Sequence, residues 1–379
     1  MKKVILLEKI AENGKPATWK AEINSNIVTY TWGYNDGKQQ TETITFDEGK
    51  NIGRANQTTP EEQCLLEVMK KARKKLEKNY RLISGELTEA SNEYIEPDYE
   101  VPLPMLADKY KKQIKKVNSY DKVFCQEKLD GNRCIISRVT KKMYSRTRKE
   151  IKHFPHIIEE TIKATKSLPK EIEWVDGELF ATGITFNGLQ SIIRSAKNVD
   201  EKISKRMHYH IFDVISDKPW SERREYVSMI EKSYVIRPVK DYLISPSQLE
   251  EYHDKFVENG AEGIILRLPD KGYANKRTSA LIKYKHFFDE EYLTVGFTCE
   301  KNHKDLLGAI TLKLNKDSDV TFNARPSTTD EELKYIWEHK DEYIGKMATI
   351  RYQEKDKESN IPRFGILKGW KCESDLDLD

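Results

Sequence analysis

At 379 residues the chain is long enough for two or three domains of ordinary size, and its 34% charged residues describe a polar surface with no apolar run near the ~18 to 20 residues of a membrane span. Val4 to Leu7 is too short for the core of a signal peptide, which argues against a membrane or secreted protein and for a cytoplasmic setting. The 65 basic and 62 acidic groups leave a formal net charge of +3, so any anion must be met by local clusters. Cys64, Cys125, Cys134, Cys299 and Cys372 form no C-x-x-C pair that would predict a disulfide framework or a structural zinc site.

The first eighty or so residues read as strands followed by one helix. Trp19, Ala21 and Ile23 alternate with polar residues, as do Val28, Tyr30 and Trp32, and Asn35-Asp36-Gly37 supplies a turn before a strand over Thr41 to Phe46. An antiparallel sheet is predicted. Thr59-Pro60-Glu61-Glu62 opens a helix that should run to about Tyr80. There the Thr59 hydroxyl accepts an orphan N–H, Pro60 lacks a donor that the first turn does not need, and Glu62 completes a capping box. Leu65, Leu66, Met69, Ala72 and Leu76 share one face; beside them Lys70, Lys71, Lys74, Lys75 and Lys78 read either as solvated surface or as a phosphate-binding stripe. Glu86, Glu89, Glu93, Glu96, Asp98 and Glu100, with Pro97, Pro102 and Pro104, mark a linker and a boundary near residue 98.

Beyond it, strands are predicted over Val123 to Lys128, Cys134 to Val139, Ile172 to Phe180, His208 to Ile215, Gly263 to Leu268 and Ala280 to Lys285. They alternate with helices over Pro155 to Lys166 and Pro246 to Val257, the second capped by Ser245 and Gln248 and ended by Gly260. The last ninety or so residues return to short β segments with glycine turns at Gly308, Gly345, Gly365 and Gly369, a small barrel with one helix from about Asp330 to His339.

Chemistry concentrates at Glu127-Lys128-Leu129-Asp130-Gly131-Asn132-Arg133, where a lysine ends a strand beside an Asp-Gly turn. Such a lysine is a nucleophile if desolvation and neighbouring cations favour its neutral amine, and otherwise an exposed side chain at a turn. Five further patterns follow in order: Ser145-Arg146-Thr147-Arg148, Asp176-Gly177-Glu178-Leu179, Phe212-Asp213, Glu262-Gly263-Ile264-Ile265-Leu266-Arg267 and Lys283-Tyr284-Lys285. Through this series, over Pro104 to Lys285, the sequence resembles the covalent nucleotidyltransferases. Within them it is most similar to the ATP-dependent polynucleotide ligases, whose motifs I, Ia, III, IIIa, IV and V run in this order, and the C-terminal residues narrow the likeness to DNA ligases of small phage and viral type.

The resemblance implies an α+β protein: an antiparallel-sheet nucleotidyltransferase (adenylation) domain over 99–288 and a C-terminal OB-fold β-barrel over 289–379. It implies attack by Lys128 on the α-phosphate of ATP, a lysyl-AMP, a DNA-adenylate, and sealing of a 5′-phosphate to a 3′-hydroxyl in nicked duplex DNA. Arg133, Arg146, Lys283 and Lys285 are cations suited to developing phosphate charge, with Lys128, Arg133 and Lys285 as the catalytic set. Glu178 and Glu262 are hard oxygen donors for Mg²⁺, with Mn²⁺ as a substitute, and Glu178 also reaches the ribose. Phe212 offers a face for adenine or is a core aromatic, and Gln126 or Glu127 meets the purine edge. The histidines form no metal-ligating constellation; His210 shares a strand face with Phe212 and either lines the pocket or is structural.

At the C terminus, Gly345-Lys346, Ile350 to Glu354 and Pro362-Arg363-Phe364-Gly365 resemble the end of the OB-fold domain in those small ligases, with Lys346, Arg351, Arg363, Lys368 and Lys371 available to a nucleic-acid backbone. The R-x-D-K closing motif of capping enzymes and the four-cysteine zinc module of NAD-dependent ligases are both absent. Trp32-Gly33-Tyr34 ahead of a lysine-rich helix resembles a WGR nucleic-acid-binding domain, with Tyr in place of Arg, over a module and linker spanning 1–98. It adds Trp32 and the Lys70 to Lys78 stripe to the expected DNA contacts. A monomer with no membrane partner is expected, serving replication or repair in a host-cell or viral setting, in the cytoplasm or the nucleus of a eukaryotic host. An RNA or hybrid-strand ligase with the same chemistry is the alternative.

Overall fold

The computed structural model describes residues 2–11, 13–87, 97–181, 204–300, 303–315, 318–356 and 359–370, with single positions between 184 and 193. Glu89, Glu93 and Glu96 of the acidic linker, and Lys371 and Cys372, lie outside the described residues. The chain divides into two compact units, one of Met1–Val68, Ile83–Gly85 and His286–Asp379, the other of Met69–Leu82 and Glu86–Lys285. Among the described residues no helix is long and apolar enough to cross a membrane.

Near the N terminus, β1 (Lys2–Ile10), β2 (Pro16–Asn24), β3 (Ile27–Tyr34), β4 (Gln40–Thr45) and β5 (Arg81–Ser84) form a sheet in the order β4-β3-β2-β1-β5. The alternation read from the sequence holds: Ala17, Trp19, Ala21 and Ile23 of β2 are buried with Val28 and Tyr30 of β3, and the rings of Trp19 and Tyr30 lie 5.5 Å apart. α1 (Pro60–Leu76) opens with the expected capping box, Glu62 N donating to Thr59 Oγ1 at 3.2 Å and Thr59 N to Glu62 Oε2 at 2.8 Å. It stops at Leu76 rather than near Tyr80 because Asn79 turns left-handed at φ 66 and Tyr80 N closes back onto Lys75 O at 3.2 Å.

The second unit holds β6 (Leu106–Lys109), α2 (Tyr110–Val117), β7 (Val123–Lys128), β8 (Asn132–Ser137), β9 (Lys142–Ser145), α3 (Pro155–Ala164), β10 (Trp174–Ala181) and β11 (Met207–Val214). α4 (Trp220–Ser228), β12 (Ile236–Pro238), β13 (Tyr242–Ile244), α5 (Leu249–Glu258), β14 (Gly263–Arg267) and β15 (Arg277–Tyr284) complete it. The strands make two five-stranded sheets, β12-β11-β10-β8-β9 and β13-β7-β14-β15-β6, antiparallel except for the β11–β12 and β15–β6 pairs. Each sheet carries its own apolar core, one including Phe154, Ile157, Val175, Leu179 and Tyr209, the other Val117, Val123, Phe256, Ile264 and Ile282.

The same unit contains a stacked arginine pair. The ring of Tyr99 has the guanidinium carbon of Arg81 3.7 Å from its centre and that of Arg148 4.7 Å away, and its hydroxyl donates to Tyr80 O at 3.2 Å. Lys149 and Glu77 form an ion pair at 2.5 Å beside it. Arg148 is buried, at φ 63, with Nε and Nη2 lacking hydrogen-bond partners, so the Tyr99 ring supplies much of the compensation for its charge.

In the first unit, β16 (Phe288–Glu300), β17 (His303–Lys313), β18 (Thr321–Pro326), β19 (Met347–Tyr352) and β22 (Ile366–Trp370) close a barrel in the order β16-β17-β18-β22-β19. α6 (Asp330–Glu338), capped by Thr329, joins β18 to β19, and β20 (Glu354–Lys355) pairs with β21 (Pro362–Arg363) outside the barrel.

Candidate active site

β7 delivers Lys128 to its C-terminal end, and the pairing of Lys128 with Gly263 on β14, together with Glu262 N donating to Lys128 O at 2.8 Å, places Glu262 beside it. Lys128 Nζ donates to Glu262 Oε2, and Lys285 Nζ pairs with Glu262 Oε1, so one carboxylate holds two ammonium groups. Gln126, Ile265 and Lys283 run across β7, β14 and β15 in one row, which puts Gln126, Lys128 and Lys283 on a single sheet face. Glu127 sits in the row of Ile264 and Tyr284 and takes the opposite face. Burial, then the charges of Lys128, Arg277, Lys109 and Arg146, pull the Lys283 amine below the usual lysine range. Cations are concentrated here where an anion would relieve them.

The other sheet contributes carboxylates. Arg133, Glu178 and His210 stand in one row across β8, β10 and β11. A bulge after Asp176 pairs Asp176 with Asp213 and Gly177 with Ile211, leaving Phe212 as the extra residue, its ring turned toward Arg133 with the guanidinium carbon 4.5 Å from its centre. Gly177 is required at the bulge: a Cβ there would lie 2.5 Å from His210 O and 2.6 Å from the Tyr209 ring. Gly131, in the turn after Lys128, is equally confined, since its Cβ would fall 2.4 Å from Leu179 O and 2.7 Å from Glu178 Cγ.

Two buried clamps fix this row. Arg133 Nε donates to Asp176 Oδ1 at 2.6 Å, and the Tyr273 hydroxyl donates to Oδ2 at 2.5 Å while accepting from Met105 N at 2.8 Å. Asp213 takes Arg223 Nε at 2.8 Å and Arg267 Nη1 at 2.5 Å, the second bond running from β14 of one sheet to β11 of the other, while Arg267 Nε donates to Gln126 Oε1 on the neighbouring strand β7 at 2.7 Å. Burial pushes both carboxylates up. For Asp213 the charges of Arg267 and Arg223 outweigh it and hold the group below the usual range, whereas for Asp176 burial wins over Arg133. Glu178 is raised to about 7 by burial, against the opposing charges of Arg133 and Lys128.

The structure thus gathers Gln126, Lys128, Arg133, Glu178, Phe212, Glu262, Lys283 and Lys285 in the second unit. The exposed Arg146 is felt there through its charge on Lys283. Gln126 is buried and its amide oxygen engaged by Arg267. Lys70, Lys71, Lys74 and Lys75 lie along α1 and Lys78 just past it. Trp32 is half-buried on β3; Arg351 is paired with Asp289 at 2.7 Å and Arg363 with Glu354, all in the first unit. Sequence reasoning assigned no role to Arg223, Arg267 or Tyr273. Arg267 closes the Glu262 pattern and was open to notice; Arg223 and Tyr273 carry no local signal.

A lysine at a strand end, held by a carboxylate among further cations, is chemistry suited to nucleotidyl transfer. Residues 104–285, a little under half of the chain, match the family model of the ATP dependent DNA ligase domain, and this segment is a domain of that family. The DNA ligase of African swine fever virus (strain Badajoz 1971 Vero-adapted) is 26% identical over 356 residues, covering 86% of this chain and 78% of that protein. That of Staphylothermus marinus is 28% identical over 229 residues, 52% of this chain and 37% of that protein. Among solved structures, "Pmar-Lig_Pre." superposes with a TM-score of 0.60 at 22% identity over 71% of this chain and 67% of that one. A minimal-scaffold Lig E DNA ligase gives 0.59 at 21%, over 72% and 100%. Both show a shared fold.

Proposed function

We propose that this chain is an ATP-dependent DNA ligase that seals 5′-phosphate/3′-hydroxyl nicks in duplex DNA. The observation that carries the reading is the attachment of Lys128 and Lys285 to one carboxylate, Glu262, facing Glu178 and Arg133. In the first step the Lys128 amine, freed of its proton, forms an N–P bond to the α-phosphate of ATP as the bond to pyrophosphate breaks. AMP then passes to the 5′-phosphate of the nick, and attack by the 3′-hydroxyl forms the phosphodiester and expels AMP. Glu262 orients Lys128, and Lys283, Lys285, Arg133 and Arg146 answer the charge that grows on phosphate. Phe212 stacks on adenine, and Gln126 or Glu127 meets its edge; of the two, Gln126 shares the Lys128 face.

Glu178 suits a divalent cation: it is a carboxylate held near neutrality by burial, with no hydrogen-bond donor on it among the described residues. Mg²⁺, or Mn²⁺, held by Glu178 and Glu262 would supply neutralisation of the phosphate oxygens.

We read the chain as three modules: a WGR-like sheet and helix with its linker over 1–98, the adenylation domain over 99–288 and an OB-fold domain over 289–379. The closed five-strand barrel with α6 between its third and fourth strands supports the OB reading. Arg351 and Arg363 of that barrel, with Trp32 and the Lys70 to Lys78 stripe, would then meet the DNA backbone. A monomer working in the cytoplasm or nucleus of a host cell fits this reading. Incubation with α-labelled ATP and Mg²⁺ followed by denaturing electrophoresis should show a labelled polypeptide, and labelled nicks with DNA or RNA on either side should be sealed best when all strands are DNA. Failure to label, or a preference for RNA ends, would overturn it.

A further inference from the structure

α2 opposes its own electrostatics. Its eight residues include Lys111, Lys112, Lys115 and Lys116 and no acid, with Lys111 and Lys112 in the first turn. Cations there face the positive end of the helix dipole, and Lys111 with Lys115 and Lys112 with Lys116 are like charges one turn apart, an arrangement that costs helix stability. α1 has the favourable layout throughout, Glu61 and Glu62 in its first turn and Arg73, Lys74 and Lys75 in its last; in α2 Lys115 and Lys116 share that favourable last-turn place, and Lys111 and Lys112 of the first turn do not.

Packing fixes which way α2 faces. Val117 is buried in the apolar core, the Tyr110 ring lies 4.9 Å from that of Tyr284, and Lys116 Nζ donates to Ser279 Oγ at 2.6 Å. Lys111, Lys112 and Lys115 therefore fall on the outer side, exposed, and among the described residues they make no ion pair, although the charge of Lys112 is felt by the Asp108 carboxylate ahead of the helix. The helix starts directly after Lys109, whose register partner on β15 is Lys283, so the outer lysines continue a line of positive charge that begins at the nucleotide site.

We propose that the outer face of α2, through Lys111, Lys112 and Lys115, is a docking surface for the phosphodiester backbone of the duplex flanking the nick. This rests on the ligase reading above and adds to it the surface on which one DNA arm lies. Each phosphate contact releases about 0.9 counterion, so three contacts make the affinity fall about 40-fold more between about 50 and about 200 mM salt.

The test replaces the three lysines together (K111Q, K112Q and K115Q) in the full chain and measures nicked-duplex binding by fluorescence anisotropy across that salt range. K141Q, K142Q and K166Q, three exposed lysines of the same unit, serve as the control of equal charge change. The α2 variant should bind more weakly at low salt, with a log–log slope shallower by about two to three, and should label with AMP at the wild-type ATP concentration; the control should keep the wild-type slope. Its melting temperature should not fall, because like charges have been removed; if it does fall, K115Q alone is measured and should flatten the slope by about one. A slope equal to wild type, or an equal change in the control, overturns the proposal. An unaltered protein that neither labels with AMP nor seals a nick refutes the ligase reading instead.

Discussion

The guanidinium carbon of Arg133 lies 4.5 Å from the centre of the Phe212 ring while Nε of the same side chain donates to Asp176 at 2.6 Å. One cation thus attends both the aromatic face expected to receive adenine and a buried carboxylate, and ATP must share that ring with it or displace it. Phe212→Leu should raise the KM for ATP in self-adenylation roughly 5- to 150-fold, the range set by about 1–3 kcal/mol for stacking a base on an aromatic ring. Arg133→Lys keeps the charge without the planar fork, and should add a lowered melting temperature as Asp176 loses its paired contact. An unchanged KM in Phe212→Leu would remove the ring from nucleotide binding.

Lys128→Ala should abolish AMP labelling, and Lys128→Arg should fail too, since a guanidinium does not present a free amine at working pH. Glu262→Gln leaves Lys128 and Lys285 in place but without the carboxylate that holds both. Its labelling rate should drop about 10²- to 10³-fold while its thermal unfolding stays close to wild type. Covalent label on either Lys128 variant would exclude that residue as the nucleophile.

Glu178 gives a pH dependence of known sign. Burial raises its carboxyl to about 7 from an ordinary 4.5, so between those values the folded protein holds a proton that the unfolded chain has lost. Stability should therefore fall as pH rises from about 4.5, the loss complete above about 7 and no larger than ~3 kcal/mol. Glu178→Gln should flatten this part of the profile, measured by chemical denaturation at several pH values. Added Mg²⁺ should flatten it in the unaltered protein and leave the variant unchanged; a metal response equal in both would remove Glu178 from the cation site.

Tyr99 is expected to matter for stability and little for chemistry. Removing the ring in Tyr99→Ala takes the stacked partner from Arg81 and from the buried Arg148 and should cost about 2 to 4 kcal/mol, from two cation–π contacts and a hydrogen bond. Tyr99→Phe keeps the ring and loses the hydroxyl's donation to Tyr80 O and Leu76 O, and should cost about 1 kcal/mol. Urea midpoints separate the two, and a ratio near one would show that the stack contributes nothing.

What the sequence revealed was what neighbours along the chain decide. Thr59 and Glu62 lie three residues apart, so their reciprocal cap was legible, and Val123 to Lys128 forms a strand with the expected ends, with Asp130-Gly131 following it. The end of α1 was missed because it depends on Asn79 adopting a left-handed turn, a choice no periodicity announces. α2 and α4 were missed for a different reason. α2 is only eight residues long and half lysine, so Tyr110, Ile114 and Val117 give too short an apolar series to stand out, and α4 points Trp220, Arg223 and Val227 inward with charges between them. Arg223 and Tyr273 matter only because Asp213 and Asp176 stand opposite each other across β10 and β11, and that proximity is created by the fold.

The turn at Gly131 bears on how such a site can change over generations. Because a methyl group there would press on the Leu179 carbonyl oxygen and on the Cγ of Glu178, the spacing between the turn after Lys128 and the opposing strand is gauged by an absent side chain. Substitutions at either place are then coupled in order. A larger residue at 131 becomes tolerable only after the chain around 178 has drawn back, and a lineage that draws it back first has already moved the acid away from the lysine. Neighbouring sequence space at this turn is closed in both directions.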